Sequence, residues 1–266
     1  MRVLTAPSRS LGDWLHAVLS YVGGASLLLF EALRWLSHPS SWRWSRIVAQ
    51  MERIGWGSLS IVTFISFTIG IAVTLQAAYQ MQKFSFSSHI YTASFATLMI
   101  FREIGPVLTA LIVAGRVGAA ITAEVGTMVI TQQIDALKAL ATNPVRFLVV
   151  PRFLALILGL PLLTVYADAV GVLGGYLMGI TQLDIGSRLY FEMSTTLLAM
   201  KDLWTGLAKA LVFAVIICIV SCYEGLRTTG GAEGVGRATT WSVVVSFTLI
   251  IAADSFFTAI FYFTGQ

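Results

Sequence analysis

The chain has 266 residues, of which 57% are hydrophobic and only 11% charged. Soluble domains carry roughly 25% charged residues, so this composition excludes an ordinary soluble fold and predicts an all-α integral membrane protein. At about 20 apolar residues per span, the length accommodates five spans, and the net charge of +4 needs no nucleic-acid partner because the basic loops of a membrane protein supply it.

Residues 11–36 alternate apolar and polar at helical spacing, with Asp13, His16, Glu31 and Arg34 on one side. This pattern predicts an amphipathic helix lying in the membrane interface. Residues 1–16 lack the apolar region of a cleavable signal peptide. Trp42, Trp44 and Trp56, interleaved with Arg43, Arg46 and Arg53, read as an aromatic and basic anchor. The expected organisation is therefore an interfacial helix and anchor over 1–53 and a five-span domain over 54–266. The spans are expected at about 54–81, 91–123, 147–180, 203–223 and 241–263.

Basic residues alternate between the connections. Arg43, Arg46 and Arg53 precede span one, Lys138, Arg146 and Arg152 lie between spans two and three, and Arg227 and Arg237 lie between four and five. The opposite side carries only Lys83, Arg188 and Lys201. The positive-inside rule then puts the N-terminus in the cytoplasm and the C-terminus outside. Residues 182–202 have mixed polarity and predict a short helix on the outer face.

Charges within apolar runs are costly and mark function or buried pairing. Arg102 and Glu103 lie about a dozen residues into the second run, and Lys209 lies in the fourth. They read either as a packing pair or as the polar rim of a cavity for an anionic group. Neighbours on a helix point about 100° apart, so each of Arg102 and Glu103 needs its own environment. Gly105-Pro106 predicts a kink or break directly after them. Asp168 and Asp254 are further deep acids, readable as proton relays or as glue between helices.

Small residues recur every fourth position as Ala110, Ala114, Gly118 and Thr122, and again as Gly171, Gly175 and Gly179, which predicts close helix packing. Between spans two and three, a helix within about 127–142 sets Ile134, Leu137 and Ala141 on one face and Asp135 and Lys138 towards the other. Its position suits a helix that docks onto a cytoplasmic partner. Residues 228–240 are glycine-rich but contain no GxxxxGK[ST], so they read as a tight turn rather than a phosphate loop. Cys218 and Cys222 have no His or acid beside them and read as packing, not metal ligands. The three histidines fall outside the spans, and neither HExxH nor GxSxG occurs, so no enzymatic constellation is expected.

Taken together, EIGPVLTALIVAGRVGAAITAEVGTM, QQIDAL, NPVRFLVVPR, GLAKALVF at 206–213 and GAEGVGRATTWSVVVSF at 231–247 resemble the MlaE-type (YrbE-like) permease family of ABC transporters, the membrane subunit of MCE lipid-transport systems. The resemblance covers most of residues 54–263. It implies a homodimer in the bacterial inner membrane that moves phospholipid, or a related lipid, to or from a periplasmic MCE protein for outer-membrane lipid homeostasis. It also implies cytoplasmic ATPase subunits, a small STAS-domain protein on the ATPase, no cofactor, and no ATP hydrolysis by this chain. Carried onto matching positions, it makes Arg102, Glu103 and Lys209 polar residues of the lipid cavity. Val73, Met81 and Phe84 correspond in place to acyl-chain contacts. Gln132, Gln133, Ile134, Asp135, Leu137 and Lys138 correspond to the coupling helix, in which Gln132 stands at a position often occupied by Glu. Two other classes compete with this reading: a proton-coupled carrier using Asp168, Asp254 or Glu103, and a scaffold for an MCE protein. The absence of inverted repeats counts against the carrier.

Overall fold

The computed structural model describes residues 6–37, 44–83 and 90–263. Its helices are α1 (Ala6–Leu36), α2 (Trp44–Lys83), α3 (Ile90–Met99), α4 (Gly105–Val113), α5 (Ala119–Ile130), α6 (Gln133–Ala139), α7 (Val150–Gln182), α8 (Ser187–Thr196), α9 (Met200–Leu226) and α10 (Gly231–Phe263). Helices α3, α4 and α5 form one continuous rod, joined by π-helical turns at Ile100–Ile104 and Ala114–Gly118, and a third π turn, Val145–Val149, leads into α7. Six helices are long and apolar enough to cross a membrane, the sixth being residues Leu15–Leu36 of α1. The chain is thus an all-α, multi-pass membrane protein, as its composition requires.

Helix α7 is the hub. It packs along α2 on one side and against α4 and α9 on the other. Phe153, Leu156, Leu160 and Leu163 of α7 share one buried core with Ile54 and Val62 of α2, Val113 of α4, and Phe213 and Ile217 of α9. The glycine ladder explains how closely α2 and α7 approach: a methyl at Gly70 would strike the Gly171 carbonyl, and one at Gly175 would meet the hydroxyls of Thr74 and Tyr190. Gly179 lies under the Tyr190 ring, and Gly118 faces Ser221 of α9. Ala110, Ala114 and Thr122 of the other ladder are buried. The Thr122 hydroxyl is 3.1 Å from the Ser221 carbonyl and 2.9 Å from the Ser242 hydroxyl, which ties α5 to α9 and α10. Cys218 and Cys222 are fully buried in the same packing.

The structure departs from the sequence reading in four places. Helix α2 begins at Trp44, so it runs through the 53/54 boundary and absorbs Arg46 and Arg53 into the span. Gly105-Pro106 does not end the rod: a π turn interrupts the α-helix just before it, and Pro106 is the second residue of α4, where a missing backbone donor is tolerated. Most of the glycine-rich segment is helical. The turn is confined to the residues around Gly230 and Gly231, whose φ angles of 89° and 69° need glycine, and α10 starts there. Its first turns lack apolar periodicity, which hid them in the sequence. Finally, Arg152 is not a loop cation. It is buried in the first turn of α7, with Nη2 2.9 Å from Glu124. The outer helix expected within 182–202 is α8. Trp42, Arg43, Phe84, His38 and His89 lie outside the described residues.

Candidate functional site

The half of the bundle away from α6 holds a charged cluster built by three elements. The π turn Ile100–Ile104 supplies Arg102 and Glu103, α9 supplies Asp202 and Lys209, and α10 supplies Asp254 and Thr258. Lys209 is 1% exposed, and its Nζ donates to Glu103 Oε2 at 2.7 Å, Asp254 Oδ1 at 2.8 Å and Thr258 Oγ1 at 2.9 Å. Thr258 closes the ring by donating to Glu103 Oε1 at 3.0 Å. All three ammonium protons therefore have acceptors, the condition for keeping a lysine charged away from water.

Arg102 turns to a different partner, as the angle between neighbouring helical residues requires. Its Nε lies 3.3 Å from Asp202 Oδ1. Asp202 Oδ2 accepts the Ala199 backbone N–H at 2.8 Å, capping α9, so the residue that starts this helix also anchors Arg102. Three carboxylates thus stand against two cations. Arg102 is the more accessible cation, with 30% of its side chain exposed. A cavity of about 230 Å³ opens beside the cluster, lined by Leu98, Met99, Arg102, Glu103, Lys209 and Tyr262 among others.

Of the residues predicted from sequence, Arg102, Glu103 and Lys209 come together at this cavity. Val73 and Met81 are half-buried on α2 and are not among the residues lining the cavity, while Phe84 lies outside the described residues. Asp254, read from sequence as a proton relay or as glue between helices, belongs to the cluster, where it ties α10 to α9 through Lys209. Asp202 and Thr258 were missed. The signal for Thr258 was its i,i+4 spacing from Asp254, and for Asp202 its place in the first turn of a long helix. Asp168 stands apart, buried over Gly105, with Oδ1 lacking a hydrogen-bond partner among the described residues.

At the other end lies the short helix α6. Gln132 enters it with a φ of 57°, Ile134 is buried and Leu137 is half-buried, while Asp135 and Lys138 pair at 3.2 Å on the exposed side. Gln133 is exposed beside them. Ala141, expected on the apolar face, instead takes a left-handed turn with φ 53° that ends the segment. Leu140 projects outward, 76% exposed.

Comparison with known proteins agrees with this architecture. A protein of Rickettsia felis, named a probable ABC transporter permease protein, is 43% identical over 255 residues, covering 96% of this chain and 97% of its own. A probable ABC transporter permease protein of Synechocystis is 39% identical over 216 residues, 81% of each chain. The intermembrane phospholipid transport system permease protein MlaE of Haemophilus influenzae is 32% identical over 258 residues, covering 96% and 97%. The family model described as Permease MlaE matches residues 47–260, a stretch that contains the whole charged cluster and α6. The chain belongs to the MlaE permease family.

Proposed function

We propose that this chain is the membrane subunit of an ABC transporter that moves phospholipid across or out of a bacterial inner membrane, with no ATPase activity of its own. The observation that carries the lipid assignment is the placement of Arg102: a guanidinium with 30% of its side chain exposed, 3.3 Å from Asp202, on the rim of a cavity whose lining also includes Leu98, Met99 and Phe261. A phosphate diester matches the planar fork of arginine. Lys209, already bonded to two carboxylates, fixes Glu103 and the rim from behind. Glu103 in turn keeps the site from holding phosphate so tightly that release stalls.

A cavity of about 230 Å³ accommodates a head group, not a whole lipid. Phe256, Tyr262 and Phe263 of α10 are 63–84% exposed near it. Both features support a homodimer in which a second copy completes the cavity and covers α10, with Val73, Met81 and Phe84 as acyl-chain contacts across the joint. In this reading α6 docks onto a cytoplasmic ATPase through Gln132, Gln133, Asp135 and Lys138. The N-terminus is cytoplasmic, the C-terminus periplasmic, and the outer face with α8 receives an MCE-domain protein. A STAS-domain protein joins through the ATPase.

Helix α1 lies in the interface rather than across the membrane. Tyr21 packs edge-on to Tyr223 near the end of α9, with ring centroids 5.1 Å apart. Glu31, nearly three turns later, accepts from Asn143 Nδ2 at 2.8 Å beside the end of α6. Both partners lie at the α6 end of the bundle, which supports a helix running across that end.

The test is reconstitution of the chain with its co-purifying ATPase in proteoliposomes that contain labelled phospholipid. ATP-dependent lipid transfer that falls at least tenfold in Arg102→Ala is the expected result. Transfer driven by a pH gradient in the absence of ATP would sink the reading.

A further inference from the structure

We infer that the pocket between α2 and α5, at the α6 end of the bundle, binds the phosphate of a membrane phospholipid through Arg116 and Arg53. This site is separate from the cavity at Arg102 and does not depend on it.

Arg116 occupies the second π turn of the α3–α5 rod, within an apolar helix where an unused charge is selected against. Its guanidinium has a built seat. It lies flat over Gly57 of α2, where a methyl would come within 2.7 Å of Nη1 and 2.9 Å of Cζ, and Nη1 donates to the buried Ser58 hydroxyl at 2.9 Å. No carboxylate pairs with it among the described residues. A serine hydroxyl holds a guanidinium in place without neutralising it, and four of its five N–H donors remain for a ligand.

Towards the bundle end, Glu124 is shared by two arginines, Arg53 at 2.9 Å and Arg152 at 2.9 Å. One carboxylate cannot neutralise both. Arg53 is 67% exposed and turns spare donors to the pocket. Glu52, exposed on the rim, is the remaining acid of the lining, so Arg53 and Arg116 face two carboxylates there, and Arg152, buried behind Glu124, brings the cations to three. Counted with that buried arginine, the balance is the reverse of that at the Arg102 cavity.

The space and its depth select a lipid as the source of the phosphate. The pocket measures about 670 Å³, close to three times the Arg102 cavity, and Ile54, Val117 and Ile121 give it an apolar wall. Trp56, also in the lining, is 77% exposed, as interfacial tryptophans are at head-group level. A phosphate at that level meets Arg116 and Arg53, while the first methylenes of the tails meet the apolar wall.

The experiment is native mass spectrometry of the full chain, with the subunits that accompany it, delipidated and then titrated with phosphatidylglycerol, diacylglycerol or inorganic phosphate. An Arg102→Ala background disables the other cavity. One phosphatidylglycerol should remain bound in that background, with affinity about tenfold lower in Arg116→Gln, the loss expected for charge-assisted hydrogen bonds. Arg116→Lys should keep most of the affinity, and diacylglycerol should bind poorly. If Arg116→Gln does not fold, Arg53→Gln carries the test, because that side chain is exposed and its loss of affinity is free of packing effects. Equal affinity in either glutamine variant, or equal binding of diacylglycerol, overturns the site. Inorganic phosphate that displaces the lipid at millimolar concentration reassigns it to a soluble anion.

Discussion

Replacing Lys209 by methionine should destabilise the bundle more than any other single charge removal in the half away from α6. The side chain is 1% exposed and its ammonium satisfies Glu103 and Asp254 at once. Methionine preserves the length and most of the volume, so the loss is electrostatic. Breaking a buried pair by removing one partner costs roughly 3–5 kcal/mol, because the survivor is left charged and dry. Here the survivors are partly wet, Glu103 at 36% and Asp254 at 21% exposure, and Thr258 still donates to Glu103. That solvation lowers the expected cost to about 2–3 kcal/mol. The measurement is equilibrium unfolding in mixed detergent micelles. The control is the triple variant Glu103→Gln, Lys209→Met, Asp254→Asn, which removes every charge of the ring. It should regain most of the loss, since uncharged groups of the same shape replace a buried ion cluster at little net cost. A single variant as stable as the parent, or a triple variant no better than the single, would refute the claim that these groups form one buried network.

Asp202→Ala removes a helix cap and the partner of Arg102 together, and should cost about 1–2 kcal/mol in the same unfolding assay, more than Asp202→Asn, which retains a cap. Gly175→Leu should separate α2 from α7 because the added side chain meets the Thr74 and Tyr190 hydroxyls, and an unchanged melting temperature would reject that contact. Asp135→Arg should leave folding intact, since the side chain is 70% exposed, while abolishing recovery of the ATPase in pull-downs; normal recovery would remove α6 from the interface.

Much of the architecture was legible because bilayer thickness forces long apolar runs, and both small-residue ladders proved to be close helix contacts. What escaped has a common cause. Asp254 and Lys209 are 45 positions apart, and Glu103 and Thr258 are 155 apart, so their pairing is a product of tertiary packing that no local pattern encodes. Deep charges announce that a partner exists and leave it unnamed. Arg152 illustrates the same point: it was counted among the basic residues between spans two and three, yet it folds inward to Glu124. Arg116 passed unread between Gly115 and Gly118 because the small residues around it dominated the pattern. The start of α10 was hidden by glycines that serve helix packing as readily as turns.

The two π turns of the α3–α5 rod each carry deep charge, Arg102 with Glu103 in one and Arg116 in the other. A π turn inserts one residue into the α-helical count, and such insertions cluster at functional positions because they re-aim side chains without breaking the helix. Fourteen residues separate Arg102 from Arg116, which in unbroken α-helix would set them about 40° apart, on nearly the same face. In the structure they face different neighbours, Asp202 of α9 and Ser58 of α2. The extra residues therefore let one rod serve an acid-rich cavity on one side and a base-rich pocket on the other. On the proposed reading a lipid phosphate is attracted where cations exceed carboxylates and held weakly where carboxylates exceed cations. That gradient needs no moving part: it is fixed by which face each π turn presents, and the rod that carries it touches both α2 and α9.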